Sequence, residues 1–199
     1  GLPTRNPLAD ARVRQALSLA LDRGAVASEA LAGTARPTSQ MTVPAVFGHD
    51  ASLPPPRESL AEARRLLAQA GQARLELEVL RSRGGSGRTE AAVARAWARA
   101  GVSLRERVVD DVSAEAEAGR FQVVVQGYGC STGDGGEALG FLFHGRQGNE
   151  WGAFNYGGYR QPEVDRLTER SLASLDPVQR LELLRRALRR VSQDYPVLP

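Results

Sequence analysis

The residues best suited to bind a small molecule lie in a glycine-rich segment, residues 127–158, which follows an apolar run at residues 121–126. Tyr128, Cys130 and Ser131 offer two hydroxyls and a thiol there. Ligands of open α/β sheets bind beyond the carboxyl ends of the strands. A loop of about 30 residues with little regular structure is also uncommon unless it has a function. We therefore expect this segment to meet a ligand or another lobe, with a plain surface excursion as the alternative.

A second group of candidates is basic. Arg81, Arg83 and Arg88 surround the turn Gly84-Gly85-Ser86-Gly87, directly before a predicted helix. Arginine can hold a carboxylate through two parallel hydrogen bonds, and a helix N-terminus favours an anion. Arg83 and Arg88 are therefore candidate ligand-binding residues, although a solvated turn is the favoured interpretation.

Residue types that perform catalysis or hold metals are sparse. The sequence has no serine-centred elbow, no GxxxxGK and no HExxH. His49 and His144 are far apart and in no metal-ligand spacing, so we expect both to be surface or loop residues. The only cysteine, Cys130, can form no internal disulfide and is expected to be small and buried. We expect no catalysis, no metal and no cofactor.

The hydrophobic pattern predicts an α/β fold with a mainly parallel central sheet flanked by helices, because strands and helices alternate after residue 75. The run Val123-Val124-Val125 is typical of a central strand that is buried on both faces. Prolines make residues 33–56 irregular. We expect strands at residues 75–80, 102–109 and 121–126, and helices at residues 10–21, 25–31, 59–71, 90–100, 113–118, 162–173 and 176–194.

The charge distribution argues against a nucleic-acid partner. The net charge is +3, and all 26 basic residues are arginines scattered among 23 acidic ones, whereas nucleic-acid-binding proteins cluster their basic residues. Four of the arginines should form the solvated face of the last helix: Arg185, Arg186, Arg189 and Arg190. No apolar run reaches the ~18 residues that a membrane span needs.

A series of motifs resembles the family 5 solute-binding proteins, which bind peptides, dipeptides or nickel complexes. The clearest is VRQALSLALDRGAV at residues 13–26, which resembles an alanine-rich signature of that family. Single short motifs are common, but their shared order from Asp10 to Pro199 is specific. The further pieces are Gly33 with Pro37 and Pro44, residues 59–71, Ala100-Gly101-Val102, residues 118–123, Gly127-Tyr128, residues 159–167, Asp176-Pro177 and residues 195–199.

The resemblance implies one lobe of a type II periplasmic-binding-protein fold. Residues 1–199 would form a single ligand-binding lobe, the second of a two-lobed protein whose first lobe lies outside these residues. Such a protein is the solute-binding component of an ABC importer, which captures a peptide-like or related small solute between its lobes. Its expected partners are that solute, the missing first lobe and an ABC permease. Its expected location is periplasmic or extracytoplasmic, at the membrane through the transporter, with the signal segment outside these residues.

The resemblance also indicates site residues. In peptide-binding relatives, an acidic residue four positions after the strand-ending glycine pairs with the ligand ammonium; counting from Gly127 gives Ser131, which carries no charge. Asp134 corresponds to a second acid of that loop, and it either reaches the ligand or caps the next helix. Tyr128 takes the place of an aromatic residue that flanks the ligand, with core packing as an equal alternative. Met41 is either a ligand contact or, as we favour, a core residue.

Two other functions are compatible with this sequence. A sensor or partner-presenting lobe would use the same fold without transport. An unrecognised α/β enzyme would need a catalytic pair in the loop after residue 127, where only Asp134 and Glu137 are acidic between Gly127 and Gly148.

Overall fold

The computed structural model describes residues 6–147 and 150–199. Two compact units make up the chain. The first unit contains the chain up to Pro37 together with Pro56–Gln126, and the second contains Thr38–Pro55 together with Gly127–Pro199. The elements in chain order are a 3₁₀ turn Pro7–Ala9, α1 Ala11–Leu19, α2 Arg23–Leu31, α3 Leu60–Gln69, β1 Leu75–Ser82, α4 Arg88–Ala98, β2 Val102–Val109, α5 Val112–Glu117, β3 Val123–Val124, α6 Gly135–Ala138, a π-helical turn Leu139–Phe143, α7 Pro162–Ala173 and α8 Pro177–Asp194.

Aspartate caps begin the first two helices of the first unit. The Asp10 carboxylate accepts the backbone N–H of Arg12 at 2.9 Å, and Asp22 accepts that of Ala25 at 3.0 Å, as N-cap residues do. A buried hydrogen bond joins α1 to α4 inside this unit: the Trp97 indole N–H on α4 donates to the Leu17 carbonyl on α1 at 3.0 Å. The cap predicted at Asp10 is confirmed.

The sheet of the first unit is parallel and has the order β2-β1-β3. β1 pairs with β2 from Leu75↔Val102 to Ser82↔Val109. The strand predicted at residues 102–109 is confirmed, as is an α/β fold with a parallel sheet flanked by helices.

The prediction of a central strand at residues 121–126, buried on both faces, is wrong. Only Val123 and Val124 form a strand, and both are half-buried. Within the described residues β3 pairs with β1 alone, through Val79↔Val123 and Leu80↔Val124. An apolar run shows that a segment avoids water but not how many strands lie beside it. The central strand is therefore β1, whose buried side chains include Val79.

The second unit packs α7 and α8 around an apolar core. Asp176 begins α8 by accepting the backbone N–H of Val178 at 2.9 Å, with Pro177 as the first helical residue, so this predicted cap is confirmed. Proline suits that position because its nitrogen needs no hydrogen-bond acceptor there. The core contains Leu139, Phe143, Val164, Leu167, Leu183, Leu184, Ala187, Leu188 and Val191.

The segment Thr38–Pro55 is fastened to α8 by polar contacts. Arg189 donates to the buried Asp50 carboxylate at 2.7 Å, and Arg185 donates to the His49 carbonyl at 3.2 Å. Gln40 holds the same segment by bonding the backbone carbonyl and N–H of Asp50 at 2.8 and 3.0 Å. The solvated arginine face predicted for this helix is therefore wrong for Arg185 and Arg189, because the segment supplies acceptors that no helical pattern reveals. Arg186 is exposed as predicted.

The glycine-rich segment is more regular than predicted. α6 and the π-helical turn form one helical stretch from Gly135 to Phe143. Residues 148 and 149, which belong to the same predicted loop, lie outside the described residues. Glycines at the start of this stretch obscure the helix in the sequence, because glycine is a poor helix former.

Candidate functional site

The loop after β3 wraps around the carboxylate of Glu137 on α6. The Tyr128 hydroxyl donates to Oε1 at 3.2 Å, and the Ser131 backbone N–H donates to the same oxygen at 3.1 Å. Thr132 donates to Oε2 through its N–H at 2.7 Å and its hydroxyl at 2.6 Å. The Ser131 hydroxyl lies 3.2 Å from both oxygens. One side chain therefore fixes the backbone and side chains of the candidate loop.

These contacts set the protonation of the cluster. The Thr132 hydroxyl, followed by the backbone N–H groups of Ser131 and Thr132, lowers the pKa of Glu137 to about 2, outweighing the effect of burial. Burial, and then the neighbouring carboxylate, raises the pKa of the Tyr128 hydroxyl. At neutral pH the loop therefore holds an ionised Glu137 and a neutral Tyr128.

Asp134 stands at the start of α6. One of its carboxylate oxygens accepts the Gly136 N–H at 2.8 Å, and the other is paired with Arg180 of α8. The Arg180 guanidinium also lies over the Phe47 ring, 5.5 Å from its centroid. Of the two roles considered for Asp134, the helix cap is confirmed.

Cys130 and Met41 lie in the same unit, in different surroundings. The Cys130 thiol is half-buried, and its sulfur lies 3.3 Å from the Asp134 carbonyl; the prediction that it is buried is wrong, because the loop lies at the surface. Met41 is partly buried and packs against the apolar core, as favoured from the sequence. Tyr128, Cys130, Ser131 and Asp134 thus lie together around α6, and Met41 belongs to the core.

The candidate arginines belong to the first unit. Arg83 forms an exposed ion pair with Asp110 at 2.5 Å, and the neighbouring Arg81 pairs with Glu106 at 2.7 Å. Arg88 is the first residue of α4, and its backbone N–H lies 3.4 Å from the Ser86 hydroxyl. These contacts agree with the favoured interpretation of a solvated turn.

His144 lies in a loop directly after the π-helical turn, so the prediction of a surface or loop residue is wrong only about the surface. Its ring is fully buried, stacks on Trp151 with ring centroids 4.2 Å apart, and has its Nε2 atom 3.1 Å from the Glu169 carboxylate. A lone histidine in a sequence gives no indication of such partners. His49 is half-buried, and its Nδ1 atom lies 2.9 Å from the Thr42 carbonyl.

The residue that sequence reasoning missed is Glu137. From the sequence, Glu137 is only one of two acidic residues that could serve catalysis, whereas the structure makes it the centre of the loop. A usable signal is its distance of five and six positions from Thr132 and Ser131, which lets a loop fold back over the first turn of a helix. The described residues contain no cluster of His, Cys, Asp and Glu that could hold a metal ion. Nor does the described part of the chain have a helix of the length and apolarity that crossing a membrane requires.

Solved structures with the same architecture are periplasmic binding proteins and their relatives. DppA from Helicobacter pylori, an ABC transporter-associated periplasmic binding protein in complex with the peptide STSA, matches with a TM-score of 0.89 at 17% identity. HbpA2 from Haemophilus parasuis matches with a TM-score of 0.88 at 26% sequence identity. The clavulanic acid biosynthesis oligopeptide binding protein 2 matches with a TM-score of 0.80 at 25% identity. The matches cover 96%, 98% and 94% of this chain, which spans only 38%, 40% and 37% of theirs.

The sequence itself matches one family. The match extends over residues 2–150, and the family is described as bacterial extracellular solute-binding proteins, family 5 Middle. No curated protein sequence shows a significant similarity to the chain. The resemblance found in the short motifs is thereby confirmed, and the expected α/β fold agrees with the solved structures of binding proteins. The chain belongs to family 5 of the bacterial extracellular solute-binding proteins, a family of binding proteins and not of enzymes.

Proposed function

We propose that residues 1–199 form the second lobe of a two-lobed solute-binding protein that captures a peptide-like or related small solute between its lobes. The closed form then delivers the solute to an ABC permease, outside the cytoplasm. The single observation that carries this proposal is the family match over residues 2–150. The coverage of 94–98% of this chain by structures about two and a half times its length supports the two-lobed arrangement.

The candidate loop supports ligand contact in the second unit. Ser131 and Thr132 are exposed, and Tyr128 is half-buried beside them, so polar groups face solvent on a backbone that Glu137 fixes. A preorganised surface loses little conformational entropy when a ligand binds. A ligand that touches both lobes stabilises the closed state by its additional contacts, which is a population shift. The 25% identical oligopeptide binding protein supports a peptide-like solute.

Native mass spectrometry of the longer protein, purified without denaturant, tests this function. We expect a defined extra mass on the longer protein and none on residues 1–199 alone, because half of the clamp provides about half of the contacts, and affinity falls tenfold for each ~1.4 kcal/mol lost. No bound mass after exposure to peptide and nickel-chelate pools would argue for a sensor or partner-presenting lobe.

A pair of variants tests the loop. Ser131→Arg places a long side chain on the candidate surface, and we expect it to abolish the bound mass. Leu175→Arg is the matched control, because Leu175 is fully exposed at the turn between α7 and α8 and lies outside the loop. Retention of solute by Ser131→Arg at the level of the control would exclude this loop as a ligand contact.

A further inference from the structure

Both acidic side chains of the candidate loop have their oxygens engaged by hydrogen-bond donors within the second unit. Residues 127–137 contain only two acids, Asp134 and Glu137. Asp134 is engaged by the Gly136 N–H and by Arg180. Neither of its oxygens lacks a strong donor.

Glu137 is engaged still more completely. An ionised carboxylate offers about four lone-pair positions. Here two backbone N–H groups and three hydroxyls donate to it, all within 3.2 Å. A ligand ammonium could reach a Glu137 oxygen only by displacing one of these donors. A displaced backbone N–H of Ser131 or Thr132 would then have to find another acceptor, and leaving a polar group unpaired is costly.

This arrangement fixes the hydrogen-bonding role of the three hydroxyl groups. Each hydroxyl of Tyr128, Ser131 and Thr132 has one hydrogen, and each directs it to Glu137. A hydroxyl that has given away its hydrogen offers only lone pairs to a further partner. The loop side chains therefore present hydrogen-bond acceptors, and the ionised Glu137 behind them disfavours an approaching anion.

We propose that Glu137 is a positioning residue that holds residues 128–132 and, because its oxygens are already occupied, makes this loop bind a group that donates hydrogen bonds without a direct contact to a carboxylate. A hydroxyl or an amide N–H fits this description, whereas a free ammonium gains no direct carboxylate partner and a carboxylate is repelled. The inference rests on the proposed function for its ligand part, but the positioning part does not.

Hydrogen exchange on the full chain tests the positioning part. In Glu137→Gln the side chain keeps one acceptor oxygen and turns an NH₂ group towards donors, so the amides of Ser131 and Thr132 should exchange at least about tenfold faster, because they lose protection through local opening. The control is Glu117→Gln, an exposed residue at the end of α5, which should change neither rate. Equal exchange of both amides in wild type and Glu137→Gln would overturn the inference.

A second variant tests the same hydrogen bonds in case Glu137→Gln does not fold. Thr132→Val removes only the hydroxyl that does most to lower the pKa of Glu137. The carboxyl carbon of Glu137, followed by NMR, should then titrate measurably above the wild-type pKa of about 2. An unchanged titration would contradict the assigned hydrogen bond.

A competition experiment on the longer protein tests the ligand part. A peptide pool is divided, one half is N-acetylated, and both halves compete for the protein, followed by mass spectrometry of what is retained. We expect the amounts retained from the two halves to agree within about threefold. A preference of tenfold or more for the free-amine half, which corresponds to about 1.4 kcal/mol, would overturn the inference. If the protein retains neither half of the peptide pool but retains a neutral maltooligosaccharide pool, the inference is supported and peptides are excluded as the solute in the proposed function. Loss of amide protection in Glu137→Gln, with no solute retained from any pool, would refute the proposed function and leave the positioning role standing.

Discussion

Replacing Asp50 by asparagine isolates the charge that fastens the segment Thr38–Pro55 to α8. The Asp50 side chain is 4% exposed. One of its oxygens accepts the Ser52 N–H at 3.0 Å and the Ser52 hydroxyl at 2.6 Å, and the other accepts Arg189 Nε at 2.7 Å. Asparagine has nearly the same shape and retains the Ser52 contacts. Its NH₂ group, however, faces the guanidinium, so one charge-assisted hydrogen bond is lost.

The magnitude follows from the exposure of the two partners. A hydrogen bond to a charged group contributes about 1.5–3 kcal/mol. The Arg189 side chain is 40% exposed and can regain water, which places the loss near 2 kcal/mol, or up to about 30-fold in the unfolding constant. With an m-value near 2 kcal/mol/M, the urea midpoint at pH 7 should fall by about 1 M. Asp110→Asn is the control, because Asp110 pairs with Arg83 where both side chains are exposed, 83% and 68% respectively, and the loss should stay below about 0.5 kcal/mol.

The pH dependence provides an independent check on the same variant. Burial would raise the pKa of Asp50, but hydrogen bonds from Ser52 and Arg189 outweigh it and hold the pKa below the ordinary 3.8. A carboxyl whose pKa is depressed by folding stabilises the protein fully above its unfolded-state pKa, and this contribution disappears as pH falls through the folded pKa. The difference between wild type and Asp50→Asn should therefore be constant near neutrality and shrink below pH 3.8. A difference that persists unchanged to pH 2, or one matched by Asp110→Asn, would refute the reasoning.

Two further pairs of variants are compared by urea unfolding. Gly152→Ala should lower the free energy of unfolding by about 2 kcal/mol or more, because φ is +67° and a Cβ would lie 2.6 Å from the His144 carbonyl oxygen. Its control, Gly158→Ala, has φ +64° but open space around it, so it should lower the free energy of unfolding by only about 1 kcal/mol. Equal losses would show that the contact at residue 152 is relieved by movement. Phe143→Ala, at a side chain 1% exposed in the core, should cost about 3–5 kcal/mol, and Phe154→Ala, at a residue 45% exposed, less than about 1 kcal/mol. A Phe143→Ala loss as small as that of Phe154→Ala would contradict the assigned core.

Local chemistry explains which elements could be predicted. Asp10 and Asp176 are caps whose side-chain oxygens act within two residues, so their effect is visible in a short window of sequence. The same holds for the alternation of apolar and polar residues in β1, because all of these residues belong to one strand. The family motifs allowed the fold to be predicted as well, because they reflect an arrangement of elements that composition does not reveal.

Features that depend on distant partners could not be predicted. The apolar run at Val123 indicated burial but not its place at the edge of the sheet, which depends on the pairing with Val79. The contact of Arg189 with Asp50 joins residues 139 positions apart. The role of Glu137 depends on a loop that folds back over α6, and the buried His144 stacks on Trp151, which lies seven positions further along the chain. In each case the determining interaction is tertiary.

The division of the second unit into two stretches of chain affects the order in which the protein is built. Thr38–Pro55 reaches its partners on α8 only after the whole of Pro56–Gln126, and then α7, has been synthesised. At 5–20 residues per second, the interval of 139 positions between Asp50 and Arg189 corresponds to roughly 7–28 s. The first unit can complete its own sheet during that delay. Asp50, which is buried and pairs with Arg189 in the folded protein, must meanwhile stay in water, and this waiting period is where chaperone contact during synthesis should concentrate.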